Sequence, residues 1–175
     1  MRMTFGFLAL LLSAQVNAHN LTLKGWNSLK TEGIVRQTTD FSCGPAALSL
    51  LLKEKYGVTI GEMEILSDII YRSARGTEGE KIKLGFSLLD LKNEAQRLGF
   101  RAKGVKFTDI SDLTVNTPLL ILLESESYSH FVVLTGMKED YAEISDPERG
   151  HWHMPLYLLK SQWKGYALVT GGAYL

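Results

Sequence analysis

The chain contains a single cysteine, Cys43, among its 175 residues. No disulfide can therefore form within it, and the thiol is not a structural staple. Charge of neither sign predominates, with 19 basic and 19 acidic side chains, and no basic run is interleaved with aromatics. A nucleic-acid partner thus has no electrostatic support. No apolar stretch approaches the roughly 20 residues that a membrane-spanning helix requires; the run at 119–123 is far too short, and no transmembrane segment is expected in the mature chain. Internal repeats, low-complexity segments and a G-x-x-x-x-G-K-[ST] phosphate-binding loop are also missing. What remains is a composition 45% apolar and 22% charged, enough for one hydrophobic core.

The first residues differ in character from the rest. Met1-Arg2-Met3 supplies a short positive start, residues 5–12 are apolar, and Val16-Asn17-Ala18 places small residues three and one before a cut. This is the pattern of a secretory signal peptide. The reading is a signal peptide at 1–18, an N-terminal arm at 19–33 and one domain at 34–175, exported and most simply periplasmic.

Within the domain, 33–37 reads as a short strand or extended lead-in and 38–42 as a polar turn, with Asp40 or Ser42 available to cap a helix. A helix begins at Cys43: Pro45 suits its first turn, Ala46, Ala47, Leu50 and Leu51 form an apolar stripe, and Gly57 stops it. A second helix is expected over 60–73, with Met63, Ile65, Leu66, Ile69 and Ile70 facing inward. Residues 75–85 are glycine- and charge-rich and read as a loop. Ser87 then caps a third helix that Gly99 ends. Strands follow at 100–107, 119–124, 130–137, 141–145 and 166–170, with a tight Lys138-Glu139-Asp140 connection and a short helix over 155–162. Helices first and antiparallel strands second describe an α+β domain.

A thiol nucleophile needs its thiolate form, and a free cysteine, with a pKa of about 8.5, is mostly protonated at neutral pH. A helix N-terminus favours the anion through unpaired N–H groups and the dipole. Cys43 sits at such a position, with Gly44 beside it allowing close backbone approach by a substrate. His130, at the start of a strand, is the candidate base and ion partner. Asp146 ends the next strand and is expected beside His130 across the antiparallel pair, where it would fix the imidazole. The Cys43 N–H and the Gln37 side-chain amide are the candidate oxyanion donors, and Tyr128 is a candidate to line the substrate cleft.

The stretch from Gln37 to Leu48, with Ser42-Cys43-Gly44-Pro45-Ala46-Ala47 at its centre, resembles the nucleophile motif of the bacteriocin-processing, double-glycine-leader peptidases, family 39 of the cysteine peptidases. Ser129-His130-Phe131-Val132-Val133 and Asp146-Pro147 resemble that family's histidine and aspartate motifs in the same order. The resemblance covers about 34–162. It implies a papain-like fold, with the nucleophile at a helix N-terminus packed on a C-terminal antiparallel sheet. It also implies cleavage after small residues, often glycine pairs, with Cys43, His130 and Asp146 as triad and Gln37 in the oxyanion hole. Where relatives often carry an acidic residue just before the cysteine, this chain has Ser42. Lacking a transporter's nucleotide site, it resembles the stand-alone exported members that accompany functional-amyloid (Fap-type) or pilus secretion systems. The partner expected is a peptide or protein substrate with a glycine-rich or double-glycine site, and possible membership of a secretion system follows.

Other readings exist. A papain-like domain can hold a secretion substrate without cutting it, and the same triad serves acyl transfer and amide hydrolysis. His151 and His153 would share one face of an extended segment, but two ligands without a third make a weak metal site. The reading calls for no metal and no cofactor.

Overall fold

The computed structural model describes residues 26–36, 38, 41–73, 76, 78–126 and 128–173. The expected signal peptide and the start of the arm lie outside the described residues. Among those described, the helices are α1 (Trp26–Thr31), α2 (Cys43–Tyr56), α3 (Glu62–Arg72), α4 (Glu78–Leu84), α5 (Leu88–Arg97) and α6 (Leu156–Gln162). The strands are β1 (Phe100–Lys106), β2 (Leu119–Ser125), β3 (Tyr128–Met137), β4 (Tyr141–Asp146), β5 (Gly150–Pro155) and β6 (Trp163–Ala173), with a 3-10 turn at Ile110–Asn116. They make one six-stranded sheet in the order β1-β6-β2-β3-β4-β5, antiparallel throughout.

The sheet is apolar on both faces, which is why β2 and β3 read as continuous hydrophobic runs rather than alternating ones. One face carries Leu120, Phe131, Val133 and Leu168 and is covered by α2 and α5, with α3 packed against those two helices. The other carries Ile121, Val132, Leu134 and Ile144 and is covered by α6 and the 3-10 turn.

Helix α2 lies against the first face and is buried on all sides over 44–52. Gly57 ends it in the left-handed region at φ 70°, its N–H closing on the Lys53 carbonyl at 2.9 Å. Ser42 occupies the cap position, but its side chain makes no capping bond; Asp40 lies outside the described residues. At α5 the expected cap is present as a reciprocal pair, Ser87 accepting from the Asp90 N–H and Asp90 from the Ser87 N–H.

Several expectations are corrected. The described part of the arm, for which no helix was expected, forms α1 and packs on β5. Residues 34–36 join no strand. The glycine- and charge-rich stretch contains α4, whose sequence EGEKIKL has no apolar stripe to announce it. Met63 is 51% exposed, while Ile65, Leu66 and Ile69 do form the inner face of α3. Strand β3 starts two residues before His130, and β6 extends beyond 166–170 at both ends.

Candidate active site

Cys43 is the first residue of α2 and is partly exposed. The first hydrogen bond of the helix runs from the Ala46 N–H to the Ser42 carbonyl at 3.0 Å. The N–H groups of Cys43 and Gly44 thus come before the helical ladder begins, at the positive end of its dipole. Gly44 serves a purpose other than the one expected. It is buried, and a Cβ there would meet the Leu91 methyls at 3.3 Å and the Phe131 ring at 3.4 Å. The missing side chain lets the first turn of α2 settle onto α5 and β3; it does not open a surface to substrate.

His130 lies in β3 opposite Leu123, in register with Val132 and Leu134. The β3–β4 register pairs Val133 with Ser145, so Asp146 stands opposite Val132 and one diagonal step from His130. The expected contact is therefore diagonal rather than directly across, within reach of two side chains on the same face. His130 Nε2 and Asp146 Oδ1 are 2.8 Å apart, with the histidine 3% and the aspartate 1% exposed.

With Nε2 committed to the carboxylate, Nδ1 is the ring nitrogen left for Cys43, with which His130 also hydrogen-bonds. Burial opposes a charge on the ring, but the bonds to Asp146 and Cys43 and their negative charges outweigh it, and the pKa is raised from 6.5 to about 9. Asp146 is likewise opposed by burial. Its bond and ion pair with His130, and the N–H groups of Glu148 at 2.8 Å and Arg149 at 3.1 Å, hold its carboxyl below the usual carboxylate range. The Asp146-Pro147 step thus builds the turn after β4 and orients His130 with the same carboxylate.

A cavity of about 360 Å³ borders this pair, lined by Leu123, His130, Asp146, Arg149, Trp152 and Leu158 among others. The Arg149 guanidinium lies 5.6 Å from the centre of the half-buried Trp152 ring. Trp163 is a core residue, with its indole N–H on the Tyr166 carbonyl. Tyr128 opens β3 opposite Ser125, and its side chain lies outside the described residues, as does Gln37.

His151 and His153 do share one face of β5, but each is otherwise engaged. His151 bridges Ser145 Oγ at 2.9 Å and the Glu32 carbonyl at 3.1 Å, while His153 stacks on Tyr141 with centroids 4.4 Å apart. Among the described residues no group of three or more His, Cys, Asp or Glu side chains is placed to hold a metal ion.

Sequence reasoning missed the backbone donors at Glu148 and Arg149, the His151–Ser145 contact and the buried acid Glu62. The first had a signal in the Asp-Pro step. The others depend on tertiary neighbours that no local pattern reveals.

Residues 31–172 match the model of the Peptidase C39 family. Proteins named "Probable functional amyloid protease FapD" from Pseudomonas fluorescens and Pseudomonas aeruginosa are 32% and 31% identical over 139 and 140 residues. Each match covers 79% of this chain and 60% of the relative, so the chain corresponds to part of their length. Among solved structures, a double-glycine-motif protease from an AMS/PCAT transporter, in complex with its leader peptide, superposes with a TM-score of 0.63 at 25% identity, covering 78% of this chain and 89% of that one. The peptidase domain of Streptococcus ComA, a bi-functional ABC transporter, gives 0.63 at 24%, covering 78% and 96%. The fold is that of the papain-like peptidase domains, and the chain belongs to the Peptidase C39 family.

Proposed function

We propose that this chain is an exported thiol endopeptidase that hydrolyses a peptide bond after small residues, such as a glycine pair, in a leader peptide or an exported protein. The observation that carries this reading is the buried His130–Asp146 pair hydrogen-bonded onward to a thiol at a helix N-terminus. With its pKa near 9, His130 is an imidazolium at neutral pH, the form that can hand a proton to the leaving amine beside Cys43.

In this mechanism the Cys43 sulfur attacks the scissile carbonyl carbon. The oxyanion that forms accepts hydrogen bonds from the Cys43 N–H and the Gln37 amide. The imidazolium gives its proton to the departing amine as the C–N bond breaks, leaving a thioester on Cys43. Neutral His130 then takes a proton from water, whose oxygen attacks the thioester; the product acid leaves, and thiolate and imidazolium are restored. Asp146 holds the ring in place and stabilises its charge throughout.

The family membership supports peptide-bond hydrolysis. The leader-bound AMS/PCAT structure favours a double-glycine site, and the FapD names favour a substrate within a functional-amyloid secretion system. Residues 1–18 are the proposed export signal, and the periplasm is the proposed location of the mature protein.

The test uses the mature chain and a fluorogenic peptide with Gly-Gly before the scissile bond. Cleavage that requires Cys43, and trapping of the thioester on Cys43 by mass spectrometry, is the expected result. Equal rates from wild type and Cys43→Ala refute the reading.

A further inference from the structure

The mechanism above leaves unused the cavity of about 360 Å³ beside the His130–Asp146 pair. Both members of the pair line it, and Cys43 does not. It therefore borders the imidazole on its carboxylate side rather than on the side of the sulfur.

The walls of this space are apolar. They come from Leu123 of β2, which is buried, and from the half-buried Trp152 of β5 and Leu158 of α6. The charges around it cancel in pairs. Within, His130 meets Asp146; at the rim, the consecutive residues Glu148 and Arg149 are both exposed and of opposite sign. A charged side chain brought here would lose its water and meet no net charge of opposite sign. An apolar one gains by leaving water. The volume lies in the range of small ligand sites and is ample for one large side chain.

The chemistry of cleavage separates the two halves of a substrate. The acyl half stays bonded to the Cys43 sulfur, so its residues must be accommodated around Cys43. The leaving half has its nitrogen within hydrogen-bond reach of the His130 ring, from which it takes a proton. Its first residue is carried on that nitrogen and passes the imidazole, where the cavity opens between β2, β5 and α6.

We propose that this cavity is the specificity pocket for the residue immediately after the scissile bond, and that it takes a bulky, uncharged, apolar side chain. Leucine or phenylalanine is preferred there to glycine, aspartate or lysine. The proposal rests on the peptidase reading and extends it from the acyl side of the bond to the leaving side.

The experiment uses the mature chain and internally quenched peptides with Gly-Gly before the scissile bond. The residue after the bond is varied through Gly, Ala, Leu, Phe, Trp, Asp and Lys. From Gly to Leu or Phe, kcat/KM is expected to rise about tenfold or more, and for Asp and Lys to fall below the Gly value. Leu158→Trp, which fills the cavity from α6, brings the Leu-to-Gly ratio close to one. Should that variant not fold, Leu158→Ala enlarges the cavity instead and moves the optimum toward Phe and Trp.

A second measurement reads the leaving side alone. With a Gly-Gly methyl ester, the thioester on Cys43 is captured by added amino-acid amides. The amine nitrogen attacks the thioester carbonyl, the C–S bond breaks, and the proton of the amine passes to neutral His130. Capture by Leu-amide should exceed capture by Gly-amide in line with the peptide series.

Three results overturn the proposal while leaving the peptidase reading intact: equal rates for Gly, Leu and Asp after the bond, amide capture indifferent to the side chain, or a Leu158→Trp variant whose discrimination shifts only for the residue before the bond. A wild type that cleaves none of the series refutes the reading itself, and this proposal with it.

Discussion

Strand β4 ends in two consecutive residues that each hold a histidine, and the contrast between them shows what sets the proposed catalytic histidine apart from a structural one. Asp146 faces the core under α6 and holds His130, with both side chains buried and the partner a carboxylate. Ser145 faces the core under α2 and holds His151, which is exposed and has a hydroxyl and a backbone carbonyl as partners. Burial alone would strip the charge from His130. The carboxylate and the thiol beside it reverse that, and the ring stays protonated to about pH 9. His151 instead clips the N-terminal segment to the sheet. Ser145 also hydrogen-bonds Glu54 of α2, whose carboxyl is pushed above its ordinary range by burial. Separate networks therefore leave the same stretch of chain on opposite faces, one ending at the Cys43 thiol and the other in a backbone carbonyl.

The widest separation is expected at the ends of the two networks. Cys43→Ala should lower cleavage by at least about 10⁴-fold, because residual rates come from binding and the oxyanion donors alone. Its melting temperature should remain close to that of wild type. Among the histidines, His130→Ala should cost about 10³-fold in kcat, whereas His151→Ala should change kcat by less than about threefold. Comparable losses from both would erase the distinction drawn here. At the strand itself, Asp146→Asn should lower kcat by about 10²-fold or more, since the amide cannot stabilise the imidazolium.

The pH dependence sharpens the same contrast. The folded-state pKa of His130 lies above its ordinary 6.5, so the stability it contributes is fully present below pH 6.5 and is lost as the pH rises through about 9. The melting temperature should fall across that window in wild type and much less in Asp146→Asn. Smallest of all, His151→Ala should cost about 1 kcal/mol of stability, in line with a lost hydrogen bond to a buried hydroxyl, measured by urea denaturation.

The residues proposed to carry the chemistry stood out because their local signals are strong. Pro45 and Gly57 bracket α2, Ser87 and Asp90 cap α5, and Lys138-Glu139-Asp140 makes the β3–β4 hairpin, with the Lys138 N–H on the Tyr141 carbonyl at 2.8 Å. These elements bring Cys43, His130 and Asp146 together from distant parts of the chain. What stayed hidden depends on partners far away in sequence. Gly44 looks like a residue that admits substrate until Leu91 and Phe131 are seen against it. Met63 fits the apolar stripe of α3, yet it lies outward beside Thr38, whose hydroxyl meets its sulfur at 3.5 Å. Helix α4 is short, charged and without periodicity, so nothing local distinguishes it from a loop. The diagonal placement of Asp146 follows from the strand register, which a pattern of residue types leaves open by a step or two.

The most direct test is an NMR titration of the His130 ring in the mature protein, repeated in Asp146→Asn. A midpoint near pH 9 in wild type that drops markedly in the variant is the result predicted. A midpoint close to the ordinary 6.5 that ignores the change at Asp146 would contradict a charged imidazole held beside Cys43.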